Sequence, residues 1–421
     1  MLQLPEIQAL TTLSRDGWLL FATRMVRLFA YGFLAVVLGL YLAEVGLSDP
    51  QIGLLLSLTL LGDALISLPI TIIADRVGRR RMLMVGAGLM ILAGVVFALT
   101  GNILLLTITA IIGTISPSGN EVGPFLAIEQ AALPQTTTDK QRTQVFAWYS
   151  LVGALMTGLG SLVGGSLAQA LQAGGSTALD SYRAVIIGYA LLGAVLLLIF
   201  GRMSPAVEVA EVKPAPTLSS LFGLHRSRKI VFRLSLLFML DAFAGGFIVQ
   251  SLMALWFNRR FGVDTAVIGS IFLGANLFAG LSALAAARVA ARFGLINTMV
   301  FTHAPSNLLL ILVPLMPTLP LAVLVLLIRF SISQMDVPTR QSYTVAVVDP
   351  TERSAANGVT SLARSVGASF APSLTGALFN LGGLWLSVPF FLAGGLKLVY
   401  DFLLYRSFKT TKPPEELEQR A

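Results

Sequence analysis

Twelve apolar stretches, each about twenty residues or longer, run through this chain: 17–43, 51–74, 82–100, 103–132, 143–172, 182–203, 230–257, 265–287, 298–317, 319–346, 355–381 and 385–405. A helix rises about 1.5 Å per residue, so about 20 apolar residues cross the roughly 30 Å hydrocarbon core of a bilayer. Buried strands do not explain the pattern, because strands run to only about 5–6 residues. The expectation is an all-α membrane protein with twelve transmembrane helices, the longer stretches tilted or extended beyond the membrane. Pro69, Pro124, Pro338 and Pro372 fall inside stretches, where neighbouring helices can satisfy the freed backbone groups. Charged residues make up 12 % of the chain and apolar types 55 %. A soluble domain carries about 25 % charge, so a cytosolic enzyme, a disordered chain and a disulfide scaffold are excluded.

Cysteine is absent, which removes disulfides, thiolate metal sites and cysteine nucleophiles. The two histidines, His225 and His303, are too few and too far apart for a zinc site. No nucleotide-binding loop and no nucleophile–base pair is found, so no cofactor, metal or enzymatic activity is expected. Nothing resembles an ion filter, which argues against a channel. The net charge of +8 belongs to loops rather than to nucleic-acid binding. With the N-terminus in the cytosol, 19 Lys and Arg fall in inside segments and 3 (Arg183, Arg259, Arg260) outside. That bias predicts both termini in the cytoplasm of a multi-pass protein of the plasma or inner cell membrane. Residues 1–16 lack the layout of a secretory signal and are expected to be a cytosolic lead-in.

The one long loop, 204–229, carries Pro205, Pro214 and Pro216 and a basic run, and divides the spans six and six. The expected organisation is a six-helix bundle at 17–203, the linker at 204–229, a second bundle at 230–405 and a cytosolic tail at 406–421. Residues 150–167 (SLVGALMTGLGSLVGGSL) lie without a gap on 361–378 (SLARSVGASFAPSLTGAL), an offset of 211. Gln130 meets Gln341 and Arg142 meets Arg353 at the same offset. Two pseudo-symmetric six-helix bundles are the usual construction of alternating-access transporters, with the binding site near the midplane between them.

Between the second and third stretches stands Ala74-Asp75-Arg76-Val77-Gly78-Arg79-Arg80-Arg81-Met82-Leu83. This resembles the signature loop of the major facilitator superfamily, with Thr71 where the pattern begins on Gly. The second half keeps Ala291-Arg292-Phe293-Gly294. Gly160-Ser161-Leu162-Val163-Gly164-Gly165 resembles the glycine motif of the proton-coupled antiporter and efflux branch, with Ser161 in place of Pro, and its repeat partner retains Pro372 and Gly376. The resemblance implies the twelve-helix fold of that superfamily and a secondary transporter. It also implies a cytosolic latch made by Asp75, Arg76, Gly78 and Arg79, with Glu129 as the carboxylate that Arg79 reaches.

Ionised groups inside a bilayer are costly, about 2.5–3.5 kcal/mol each even on an insertion scale, and must pair or face a wet cavity. Within the stretches stand Arg24, Arg27, Asp63, Glu121, Asp241, Arg329, Asp336, Arg340 and Arg364. Arg24, Arg27 and Tyr31 share a face of the first span, Glu121, Phe125 and Glu129 a face of the fourth, and Arg329, Ser333, Asp336 and Arg340 a stripe on the tenth. Spans one, four, seven and ten line the central cavity in the family resembled. Arg24, Arg27, Tyr31, Glu121, Asp241, Arg329, Asp336, Arg340 and Arg364 are therefore expected to line a substrate cavity where both bundles converge. Structural pairing is the rival explanation: Glu121 with Arg24 or Arg27, Asp336 with Arg340, and Asp241 with Arg329 or Arg364. Lys397 and Asp401 suit an i,i+4 pair near the cytosolic edge, and His303 suits helix packing.

Burial and a neighbouring arginine act in opposite directions on a carboxyl group's hold on its proton, so such a group can switch during transport. Glu121, Asp241 and Asp336 are the proton-coupling candidates. The expected function is proton-coupled export of a small organic solute by a monomeric secondary transporter. The alternatives are uptake or facilitated passage of a small polar or anionic metabolite, and a non-transporting sensor or scaffold with the same fold. The expected partners are the solute, protons and the lipid bilayer.

Overall fold

The structure, a computed structural model, describes residues 13–133, 142–208 and 224–411. The first twelve residues of the expected lead-in, most of the linker and the tail beyond Thr411 lie outside the described residues. Regular structure among the described residues is helical, in fifteen α-helices. The first half holds α1 (Arg15–Glu44), α2 (Asp49–Val77), α3 (Arg79–Leu99), α4 (Ile103–Ile112), α5 (Phe125–Ala132), α6 (Arg142–Ala173) and α7 (Ala178–Gly201). The second holds α8 (Arg228–Gly246), α9 (Gln250–Phe261), α10 (Thr265–Phe293), α11 (Leu295–Leu312), α12 (Leu319–Ser333), α13 (Asp336–Ala346), α14 (Arg353–Asn380) and α15 (Val388–Phe408).

Fifteen helices make twelve spans because three spans are each built from two helices. Ten segments are long and apolar enough to cross a membrane, α8 with α9 and α12 with α13 each counting as one. The short α4 joins α5 as the fourth span, and α14, with Arg353 and Arg364 along it, is the eleventh. The surface is apolar where a soluble protein would be charged. Leu191, Leu198, Phe232 and Phe301 are each more than 60 % exposed, as helices that meet lipid rather than water require. Side chains close several helix starts: Ser14 accepts from the Gly17 amide, Asn102 from Leu104 and Leu105, and Thr177 from Asp180.

The three broken spans correct the expectation of continuous helices at 103–132, 230–257 and 319–346. Each break has a local cause. Residues 113–124 (GTISPSGNEVGP) hold two prolines, and Gly119 and Gly123 take positive φ, which ordinary residues adopt only at a cost. The seventh span breaks at 247–249, after Gly245 and Gly246. The tenth breaks at 334–335, where the Pro338 ring would collide with the carbonyl four residues back.

Freed backbone groups in a membrane need partners, and protein supplies them. Around 113–124 the Tyr31 hydroxyl donates to the Val122 carbonyl (3.0 Å), Thr157 to Gly119 (3.3 Å), and Tyr189 to Thr114. The Asp63 carboxylate accepts from the Gly123 amide. Thr375 donates to the Phe247 carbonyl at 2.9 Å, and the Gln334 amide donates to Ser282 at 3.3 Å. Four helices thus hold the fourth span's unwound segment in one shape.

The chain forms two compact units: Met1–Leu47 with Leu58–Ala215 and Gly262–Leu273, and Ser48–Ser57 with Pro216–Phe261 and Gly274–Ala421. In the first, α1 packs on α6 and α7, and α3 on α7; in the second, α8 packs on α14 and α15, and α11 on α15. The same pairing recurs with α8, α11, α14 and α15 in place of α1, α3, α6 and α7. Moreover, α5 and α13 begin 211 residues apart (125 and 336), as do α6 and α14 (142 and 353). Small residues permit the closest approaches. A Cβ on Gly160 would lie 2.0 Å from the Phe29 carbonyl oxygen, and one on Gly164 2.4 Å from that of Phe33. Gly165 meets the Thr265 carbonyl in the first unit, while Gly376 meets that of Asp49, and Gly53 that of Pro372, in the second. Ser161 donates to the Gly32 carbonyl at 3.2 Å.

Candidate functional site

In the first unit Arg24 and Arg27 share the carboxylate of Glu121. The Glu121 side chain keeps 16 % exposure, and Arg27 contacts it at 3.1 Å. Glu121 lies in the unwound segment rather than on a helical face with Phe125 and Glu129, which corrects the expected periodic stripe. Unwinding brings it to both arginines from outside the α5 register. Arg24 also lies over the Tyr149 ring at 4.2 Å and donates to the Tyr149 carbonyl. Gly153 leaves room for it, since a Cβ there would sit 2.8 Å from the guanidinium.

Glu129 corrects a second expectation. It is fully buried and binds Arg27 through both oxygens, each contact 2.6 Å, while Thr23 donates at 3.0 Å and Tyr149 donates as well. It makes no ion pair with Arg79 among the described residues. Arg79 instead pairs with Asp75 at 2.8 Å and donates to the Ala131 carbonyl at 3.2 Å. Both Glu129 oxygens are taken by Arg27, and Arg79 meets α5 at a carbonyl near its C-terminal end rather than at that side chain. Gly78 joins α2 to α3 with φ +114°, and Gly294 joins α10 to α11 with φ +86°, which accounts for the Arg-x-Gly common to both loops. Arg76 is exposed. Tyr31, expected to line a cavity, is fully enclosed and occupied in holding the unwound segment.

Two carboxylates outside the membrane-spanning helices close helix starts. Glu208 accepts from the Arg79 amide at 2.6 Å and the Arg80 amide at 3.2 Å. Glu352 accepts from the amides of His225, Arg226 and Ser227 at 2.8–2.9 Å. These three donors stabilise its anion and hold its pKa down at about 2. Asp349 is lowered too, by donation from the side chain and amide of Thr351.

In the second unit Asp241 is the centre. Its Oδ1 accepts from the Lys397 ammonium at 2.5 Å, and its Oδ2 from Arg340 and Arg364, each at 3.2 Å. Three cations from α13, α14 and α15 thus converge on one carboxylate of α8 whose side chain is 5 % exposed. Arg340 also reaches Asp336 at 3.0 Å. Lys397 and Asp401 are not the expected i,i+4 pair. Asp401 accepts from His303 Nδ1 at 2.8 Å and Asn307 at 2.9 Å, and His303 Nε2 lies 3.8 Å from Asp241. Sequence spacing missed this buried assembly of His303, Asn307, Lys397 and Asp401, because its partners are 94–156 positions apart. The available signal was that all four are polar and fall inside apolar stretches. Arg329 makes no ion pair with Asp241 among the described residues and lies 4.9 Å over its neighbour Phe330.

A helical membrane protein with internally repeated halves, broken spans and buried charge clusters is built as a membrane transporter. The family model described as the Major Facilitator Superfamily matches residues 20–335 and 234–421. The chain belongs to that superfamily. It is 30 % identical over 420 residues to an uncharacterized membrane protein of Saccharomyces cerevisiae, YJR124C, covering 93 % of each. Among solved structures it resembles the nucleoside transporter NupG (TM-score 0.72, 15 % identity, 94 % of this chain and 100 % of that one). It also resembles a D-xylose-proton symporter (TM-score 0.71, 14 % identity, 93 % and 97 %) and a bacterial homolog of the human lysosomal transporter Spinster (0.71, 17 %, 94 % and 97 %). At these identities the structures share its fold.

Proposed function

We propose that this chain is a proton-coupled secondary transporter that exports a small organic solute by alternating access, working as a monomer in the plasma or inner cell membrane with both termini in the cytoplasm. The carrying observation is the sharing of Asp241 by Lys397, Arg340 and Arg364. One proton on that carboxyl removes the anion that three helices hold in common, so protonation alters the pairing of the seventh, tenth, eleventh and twelfth spans together. Glu121 serves Arg24 and Arg27 in the same way, and Asp336 serves Arg340. Glu129 and Arg27 are both fully buried and anchor the first span to the fourth. The export direction rests on the glycine motif around Gly160 and Gly164, and the orientation on the 19-to-3 loop bias.

The test uses purified protein in liposomes holding an internal pH dye, challenged with pools of small organic compounds. A pool containing the solute changes the internal pH with the wild type, and Asp241→Asn abolishes that change while leaving solute exchange. Normal pH-coupled movement in Glu121→Gln, Asp241→Asn and Asp336→Asn alike refutes the coupling.

A further inference from the structure

Of the arginines expected inside the spans, Arg24, Arg27, Arg340 and Arg364 form ion pairs among the described residues, Arg364 with its side chain 34 % exposed. Arg329 does not. It is 7 % exposed, and its buried Nε has no hydrogen-bond partner. One turn further along α12, Ser333 is 4 % exposed, and its buried Oγ also lacks a partner. Residues four apart share a helix face, so two unsatisfied donors stand on the same side of the span.

The charge balance of the second unit points the same way. Its described intramembrane network holds four permanent cations (Arg329, Arg340, Arg364, Lys397) against three carboxylates (Asp241, Asp336, Asp401). Arg340, Arg364 and Lys397 occupy Asp241 and Asp336, and His303 with Asn307 occupies Asp401. The balance is one positive charge in excess, and Arg329 is the cation of the four that makes no ion pair among the described residues. Asp336 and Asp241 attract Arg329 through space without forming an ion pair with it, its Nε keeps an unused donor, and a planar guanidinium is the side chain best matched to a two-oxygen anion.

We propose that Arg329 and Ser333 form the receiving site for an oxyanion group, carboxylate or phosphate, of the transported solute. The guanidinium donates to the oxyanion and the Ser333 hydroxyl adds a third donor. This assignment rests on the transporter reading and names its substrate class, a small organic anion.

The absence of cysteine allows a test that does not need the solute's identity. Ser333→Cys is close in size and places one thiol in an otherwise thiol-free chain. Its rates with an anionic (sulfonatoethyl) and a cationic (trimethylammonioethyl) methanethiosulfonate reagent are measured in membranes, each relative to a free thiol. The anionic reagent is expected to react about tenfold faster, the effect of one unit charge of opposite sign for the two reagents about a helical turn away in wet surroundings. The preference is expected to vanish in Ser333→Cys/Arg329→Gln, and millimolar inorganic phosphate is expected to slow modification only while Arg329 is present. Equal rates, a cationic preference, a preference that survives loss of Arg329, or no reaction with either reagent overturns the proposal. Proton coupling is read separately by the pH-dye assay, so coupling without an anionic preference refutes this site alone, and an anionic preference without coupling refutes the coupling alone.

Discussion

Replacing Arg27 by Met strands the Glu129 carboxylate at a fully buried position. Both side chains are 0 % exposed, and the two contacts between them are 2.6 Å. Breaking such a pair costs about 3–5 kcal/mol, against about 0–1 kcal/mol for a surface pair. Glu129 keeps the hydroxyls of Thr23 and Tyr149, and Glu121 keeps Arg24, so the lower end, about 3 kcal/mol, is expected. Unfolding entropy of about 2.1 cal/mol/K per residue over the 421-residue chain gives about 0.9 kcal/mol/K, and hence a fall in melting temperature of about 3–4 °C. The four tryptophans report the transition by intrinsic fluorescence in detergent. Arg27→Met/Glu129→Gln removes the stranded charge while keeping an acceptor for Tyr149, and is expected to recover most of the loss. An Arg27→Met protein melting within about 1 °C of the parent, or a double variant less stable than the single, refutes the assignment of this pair as an anchor.

Gly160→Ala puts a methyl group 2.0 Å from the Phe29 carbonyl oxygen. α1 and α6 must then separate, at about 1–3 kcal/mol, visible as a lower melting temperature and a smaller monodisperse fraction on size exclusion. Glu352 has a folded-state pKa of about 2 against an ordinary 4.5. Its contribution is therefore complete above about pH 4.5 and is lost as the pH falls from there through about 2. The melting-temperature gap between wild type and Glu352→Gln should be constant near neutrality and close over that acid range; a gap unchanged at pH 3 refutes the cap's role.

Much of this architecture is legible along the chain because a bilayer imposes a local rule. A backbone group in hydrocarbon must be satisfied by protein, most simply within its own helix, so span number follows from runs of apolar residues, and the 211-residue offset exposes the duplicated halves. The cost of an ionised side chain in the same medium marks Arg24, Glu121, Asp241 and Arg329 as residues that must pair or face water. The breaks were signalled too, in Gly119, Gly123 and Pro338. Their extent was not, because an unwound segment persists only where neighbours such as Tyr31, Asp63, Thr157 and Tyr189 accept its free groups.

Partnership is what the tertiary structure decided. Spacing rules bring together residues three or four apart, and they serve Asp336 with Arg340 and Asp75 with Arg79. They fail for Lys397 and Asp401, which part company toward Asp241 and His303, and the resemblance that pointed Glu129 to Arg79 did not reveal its pairing with Arg27. Residues four apart on one helix can each meet a different neighbour, and the neighbour is set by how helices distant in sequence pack. The residue types that carry charge into the membrane are written in the sequence; which of them pair with one another, and that Arg329 forms no ion pair among the described residues, depends on distances that only the packed helices define.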